Sequence, residues 1–347
     1  MLYTRVYLDS FGYELPPHVV TSDDLEERLG PVYEALHFQH GQLEAITGIR
    51  ERRFWSPDFK MHVGAIRAGQ KALDAAAGIS PADIGMLIYG GVCRDNLEPA
   101  TACAVANGLG LGAETQIYDV SNACLGILNG MVQVANAIEL GQMRAGMIVS
   151  CESARQIIDI TIDRLLASRN MEVFKKTVAT LTGGSGAVAV ILADLSLAAS
   201  GHRLLGGAAR SAAEYHQLCV WGPDTGIPAS GLHAMETDSV GVLQNGVVLG
   251  IDTFKAFRRE LGLPQDKPDK VICHQVGATH QRNILDAIGI DPSKDFTTFK
   301  YLGNIGTVSL PITAAIASER EFLLPDDIVA FLGIGSGLNC LMLGIEW

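Results

Sequence analysis

The sequence is short of charge, shorter still of positive charge, and lacks paired-cysteine spacing; each shortage removes a class of protein. Charged residues make up 18% of the 347 positions against 48% hydrophobic ones, which argues against a disordered chain. Lys and Arg number 26 and Asp and Glu 38, a formal net charge of -12. No broad basic surface is therefore expected to neutralise nucleic-acid phosphates. The seven cysteines (Cys93, Cys103, Cys124, Cys151, Cys219, Cys273 and Cys340) are odd in number and form no C-x-x-C pair, as expected of reduced thiols in a cytoplasmic protein. No apolar leader is expected, because Met1-Leu2-Tyr3-Thr4-Arg5 enters a strand-like pattern directly. The longest apolar stretch, Ile328 to Ile345, is broken by Gly333, Gly335, Ser336, Gly337 and Asn339. It reads as two strands around a glycine turn, so no membrane span is expected. His37 and His40 have no obvious third ligand, and no metal site is expected. No nicotinamide or flavin fingerprint stands out; Gly183-Gly184-Ser185-Gly186 leads a strand and reads as a packing turn.

What is present is an alternation of strands and helices rich in glycine. Thr21 or Ser22 can cap a helix, and Ser80-Pro81-Ala82-Asp83 is a capping-box pattern leading into the strand Met86-Leu87-Ile88-Tyr89. The stretch after Cys124 is apolar almost all round, with only Asn129, Gln133 and Asn136 as a thin polar stripe, which predicts a helix buried at the centre of the protein. The strand Ala145 to Val149 follows. The second half repeats the order: a helix through Phe254 and Phe257, the strand Lys270-Val271-Ile272-Cys273, the Asn304 loop, an apolar helix through Ile312 and Ile316, and the strand Ile328 to Leu332. These elements predict an α/β fold written twice, with units 1–195 and 196–347. Cys124 and Asn304 would then occupy related strand–helix turns and converge where the halves meet.

A thiol at the first turn of that buried helix faces unpaired backbone N–H groups and the positive end of the dipole, which favour thiolate. His274, at a strand end, and Asn304, after Gly303, are candidate polar helpers for a covalent thioester enzyme. The bland readings are an inert buried thiol, an ordinary strand-end histidine and a turn asparagine. Arg50, Arg52 and Arg53 form the densest basic cluster, and on charge alone they read as a solvated surface strand.

Thr47-Gly48-Ile49-Arg50-Glu51-Arg52-Arg53, Asn122-Ala123-Cys124, His274-Gln275, Gly303-Asn304 with Pro311 downstream, and Gly335-Ser336-Gly337 together resemble the thiolase superfamily, in particular its ketoacyl-ACP synthase III-like condensing enzymes. The runs Arg94 to Thr101, Gly303-Asn304-Ile305-Gly306 and Leu332 to Cys340 are most similar to the acyl-CoA condensing enzymes that begin head-to-head hydrocarbon synthesis. The resemblance implies a duplicated five-layered αβαβα thiolase fold, a homodimer and a Cys-His-Asn site. It assigns catalysis to Cys124, His274 and Asn304, an oxyanion hole to the backbone N–H groups of Cys124 and Ser336, and substrate binding to Arg50, Arg52 and Gly303. Ser336 departs from the glycine more often found in ketoacyl synthases III, a change that a backbone donor tolerates. No permanently bound cofactor is implied; coenzyme A thioesters are substrates, and an acyl carrier protein or downstream enzymes are further candidate partners.

Glu98 separates the subtypes. Decarboxylating relatives commonly carry a hydrophobic residue there, whereas a carboxylate in an apolar tunnel has its pKa raised and suits a base that removes an α-proton. The resemblance places it across the dimer interface, against the partner's Cys124, with Arg94 and Asp95 bracing the loop. The expected reaction is a non-decarboxylative Claisen condensation of two fatty acyl-CoA molecules. The alternatives are a decarboxylative condensation with a malonyl thioester, a non-catalytic acyl-binding protein, and a papain-like protease, whose local cysteine signatures are missing.

Overall fold

The computed structural model describes residues 1–222 and 234–347. Thirteen strands occur among them: β1 Val6–Glu14, β2 His18–Thr21, β3 Glu51–Phe54, β4 Ile84–Gly90, β5 Gln116–Val120, β6 Ala145–Glu152, β7 Gly186–Asp194, β8 Arg203–Ser211, β9 Cys219–Trp221, β10 Met235–Thr237, β11 Lys270–Cys273, β12 Ile328–Gly335 and β13 Asn339–Glu346. Nine of them follow the order β11-β12-β13-β8-β1-β7-β6-β4-β5.

That order is two copies of one pairing scheme. In the first, β1 runs antiparallel to β7, β7 antiparallel to β6, and β6 and β5 parallel to β4. In the second, β8 runs antiparallel to β13, β13 antiparallel to β12, and β12 parallel to β11, with a lone parallel bridge from Val271 to Asp295 where a fifth strand would fall. The pair Tyr7–Arg203 and the antiparallel bridge Leu2–Gly206 join the two blocks.

Both blocks are buried on two faces, because residues alternate across a pleated strand and helices cover each side. On the outer face of the first, Leu87 and Met147 pack on Ala68 of the Met61–Ala75 helix and Val105 of the Thr101–Gly108 helix. On the outer face of the second, Ala330 and Met342 pack on Phe257 of the Ser239–Glu260 helix and Leu285 of the Ala278–Ile288 helix. Between the blocks lie the Gly126–Glu139 and Ser309–Glu319 helices, in one core with Ile88 and Val190 from the first and Ile272 and Phe331 from the second. The layers are thus helix, sheet, helix, sheet, helix. Ile127, Leu128, Met131, Val134 and Ile138 of the central helix are all buried, each contributing roughly 1.5–3 kcal/mol of transfer free energy.

The local signals act as their chemistry dictates. The Thr21 hydroxyl accepts the Asp24 N–H while the Asp24 carboxylate accepts the Thr21 N–H; at the 3-10 turn the Asp83 carboxylate accepts both the N–H and the hydroxyl of Ser80, at 3.0 and 2.7 Å. The interrupted C-terminal stretch folds as the β12–β13 hairpin. Among the described residues no helix is long and apolar enough to cross a membrane. One glycine contact fixes the geometry of the site: a Cβ on Gly126 would lie 2.7 Å from the Gly90 carbonyl. Without side chains at both positions, the start of the central helix docks directly against the end of β4.

Candidate active site

Cys124 lies on the turn that enters the central helix, one residue before the N-cap Leu125. The turn is strained: Ala123, a non-glycine residue, has a φ of 44°. Neighbours over-determine it. Leu125 N–H donates to the Asn122 carbonyl at 2.9 Å. The Asn122 side chain donates to Asn129 at 2.8 Å and accepts from Asn339 at 3.2 Å. The glycine-rich hairpin is adjacent, since a Cβ on Gly335 would stand 3.4 Å from the Cys124 nitrogen.

The expectation of a resting thiolate is overturned. Burial pushes the Cys124 thiol up to about 12, and the neighbouring Glu152 and Cys219 groups act in the same direction. The helix end that was to stabilise the anion begins just beyond it, and removing water from the sulfur costs more than a partial charge returns.

His274 follows β11 directly, its N–H donating to the Leu332 carbonyl at 3.0 Å. Burial, then the neighbouring His280, brings its imidazole down to about 4. It is neutral at physiological pH, and its buried Nδ1 has no hydrogen-bond partner. This has a consequence for stability. Between pH 6.5 and about 4 the unfolded chain protonates this imidazole and the folded chain does not, so stability falls as pH drops through that window. The loss is complete below about 4 and amounts to roughly 3 kcal/mol. Thermal unfolding of the wild type and His274→Gln in matched buffers checks it: the variant should lose less on acidification, and parallel curves would contradict the account.

Asn304 is held on all sides but one. Its N–H donates to Thr182 and its carbonyl accepts from Gly184, both at 2.9 Å. Its side-chain oxygen accepts the Gly306 N–H at 3.1 Å, which leaves Nδ2 as the free group, a donor. Gly303 makes the turn possible, with a φ of 69° and a Cβ position only 2.6 Å from the Thr182 oxygen.

Cys124, His274, Asn304 and Ser336 line one cavity of about 460 Å³. Its walls are mostly apolar, including Leu243, Val247, Ile284 and Met342. The structure brings these four together, and they are the residues the sequence singled out for the nucleophile, its helpers and the oxyanion turn.

Four other candidates lie elsewhere. Arg50 is exposed and does not line the cavity. Arg52 is neither a surface residue nor open to a ligand: it is fully buried, donates to Ser22 at 3.1 Å and Leu181 at 3.2 Å, and is lowered to about 10 by desolvation. Gly303 is buried behind Asn304 and serves the backbone. Glu98 is exposed, outside the cavity of its own chain.

The loop that carries Glu98 is nevertheless fixed at its ends. Asp95 accepts the N–H groups of Met61 and His62 at 2.8 and 2.9 Å, and Asp119 accepts those of Thr101 and Ala102 at 2.9 Å. Leu97 at the tip is 82% exposed. Two residues near the site escaped sequence reasoning. Cys219 shares the cavity, with its sulfur 3.5 Å from the Thr237 hydroxyl. Glu152 ends β6 beside the Asn304 turn.

The sequence family described as 3-Oxoacyl-[acyl-carrier-protein (ACP)] synthase III C terminal matches residues 259–347. Over the full length of both chains, this sequence is 52% identical to the acyl-CoA:acyl-CoA alkyltransferase of Shewanella oneidensis and 36% identical to that of Xanthomonas campestris. A crystal structure of Xanthomonas campestris OleA with its cysteine changed to alanine superposes with a TM-score of 0.93 at 36% identity, covering 100% of this chain and 98% of that one. A cysteine-to-serine form of that OleA, with bound lauric acid and lauroyl-CoA, gives 0.92 at 35% identity with 100% of each chain covered. The chain belongs to the acyl-CoA:acyl-CoA alkyltransferase family, the OleA group of thiolase-fold condensing enzymes.

Proposed function

We propose that this enzyme joins two fatty acyl-CoA thioesters head to head, without decarboxylation, through an acyl group carried on Cys124. The observation that carries this is the meeting of Cys124, His274 and Asn304 in one apolar cavity, in a chain 52% identical to an acyl-CoA:acyl-CoA alkyltransferase.

In the first half-reaction the Cys124 sulfur attacks the thioester carbonyl. The carbon–sulfur bond to coenzyme A breaks, and the thiol proton leaves on the departing coenzyme A. Because burial holds the thiol at about 12, its proton is lost only as the substrate arrives. The unpartnered nitrogen of neutral His274 supports the imidazole as the acceptor that carries the proton across. Backbone N–H groups of Cys124 and Ser336 serve the tetrahedral oxyanion.

In the second half-reaction a base removes an α-proton from another acyl-CoA. Asn304 Nδ2 and the His274 ring, which has by then passed its proton on, donate to the developing enolate oxygen. The new carbon–carbon bond forms as the bond from acyl carbon to Cys124 sulfur breaks, and the α-proton restores the thiol. Glu98 of the partner subunit is the base. Its braced loop and outward tip support delivery into a neighbouring chain. In the Xanthomonas OleA structures, the glutamate and the cysteine chosen for substitution stand as many residues apart as Glu98 and Cys124 do here.

A homodimer completes the site. β5 is the outermost strand of its block and leaves one edge unpaired, an edge a second copy can extend. The repeated pairing scheme supports 1–195 and 196–347 as the two units of each chain. The decisive assay supplies lauroyl-CoA as the only substrate: one β-ketoacyl-CoA and one coenzyme A form from two substrate molecules. Strict dependence on a malonyl thioester would overturn the reading. Light scattering on the purified enzyme should return twice the mass of one chain; a monomer that is fully active would remove Glu98 from its role.

A further inference from the structure

Glu152 is a buried carboxylate that the chemistry above does not use. It is 6% exposed. Oε1 accepts the Val92 N–H at 2.9 Å and Oε2 the Cys93 N–H at 3.2 Å, both at the root of the Glu98 loop. Gly91 is tight against it, with a Cβ position 3.0 Å from Oε1. On its other side is the Asn304 turn: a Cβ on Gly306 would lie 3.4 Å from the Glu152 Cγ, and Gly306 is the residue whose N–H fixes the Asn304 amide. The Glu152 carbonyl accepts the Trp55 indole N–H at 3.1 Å, securing its own backbone. A carboxylate taken out of water costs several kcal/mol, so an apolar side chain would fill this space at less expense if packing were the only task.

We propose that Glu152 is a positioning residue for condensation, tying the loop that delivers Glu98 to the turn that presents Asn304. This rests on the reading of Glu98 given above. Since Glu98 would serve the partner's cavity and Asn304 its own, Glu152, hydrogen-bonded to the root of the one and packed against the turn of the other, lies between the two. The titratable groups that face it are Tyr89 from β4, Cys93 and Arg94 from the loop, Cys151 from its own strand, and Cys124. Around Cys124 the further groups are Cys219, His274 and His280. The Glu152 charge therefore has a second readout, the ionisation of the nucleophile.

The test compares Glu152→Gln, which removes charge, with Glu152→Asp, which keeps charge and shortens reach. Three quantities are measured in the full-length enzyme: the acyl adduct on Cys124 after lauroyl-CoA, the condensation rate, and the rate at which iodoacetamide alkylates Cys124 as pH rises. In both variants loading should persist while condensation drops on the order of 10- to 100-fold. In Glu152→Gln alone the alkylation profile should move to lower pH, because a neighbouring carboxylate has gone. Loading, condensation and melting temperature falling together, with an unmoved alkylation profile, would reduce Glu152 to a strut and overturn the proposal, as would two variants with wild-type condensation. If Glu152→Gln fails to fold, Glu152→Asp with normal loading and normal condensation is enough to overturn it. A wild type that loads but never condenses would instead sink the reading of Glu98, and the alkylation profile then judges Glu152 alone.

Discussion

Cys124→Ser is expected to fold, bind acyl-CoA and form no acyl adduct, with turnover reduced roughly 10³-fold or more. A serine hydroxyl is a far weaker acid than a thiol, and this cavity makes matters worse for any anion. Burial is the largest cause of the rise of the thiol to about 12; the same loss of water acts on an alkoxide, which is smaller and more strongly hydrated. The polar neighbours cannot make up the difference, since His274 is neutral and Asn304 offers only an uncharged amide group. Intact-mass measurement after incubation with lauroyl-CoA reads the result directly. Cys219 provides the internal control, being a second thiol in the same cavity: Cys219→Ala should load normally. An adduct that survives in Cys124→Ser, or moves to Cys219, would end the assignment.

Glu98→Ala should separate the two half-reactions. Loading needs nothing from the partner's loop and should continue, whereas condensation should fall on the order of 10²- to 10⁴-fold, the usual contribution of a positioned base. The stronger form of the experiment mixes subunits. Cys124→Ala and Glu98→Ala are each inactive, but a mixed dimer holds one complete site, with the thiol of one chain and the carboxylate of the other. If subunits exchange at random, about a quarter of wild-type activity returns, half of the dimers being mixed and each having one working site of two. No recovery, after mass measurement has shown that mixed dimers exist, would mean that Glu98 acts within its own chain or not at all.

Much of the fold is legible in the sequence because local chemistry and tertiary structure agree. The capping pairs at Thr21 and Ser80 form between residues three apart. The helix after Cys124 is apolar almost all round because both of its sides meet a sheet. Cys124, His274 and Asn304 could be found because each ends or begins an element whose pattern is plain. Other features depend on what surrounds a residue. The protonation of Cys124 is set by a cavity assembled from both halves of the chain. Arg52 looked like surface charge because arginine usually is. Its strand, however, alternates half-buried Glu51 and Arg53 with buried Arg52 and Phe54, and that period of two was a readable warning. Glu152 also left a trace, as the one acid closing an otherwise uncharged strand. Cys219 left none, since it reaches the cavity through a strand paired with residues well downstream.

The Gly126–Glu139 helix packs against side chains from both blocks of strands, with Ile88 and Val190 on one hand and Phe331 and Leu341 on the other. Severing the chain between the repeats would strip one wall from that helix and lay its aliphatic surface open to solvent. A fragment ending near residue 195 should therefore clump when expressed by itself and become manageable only alongside the missing portion. The two blocks of strands share one pairing scheme and one layer of helices between them.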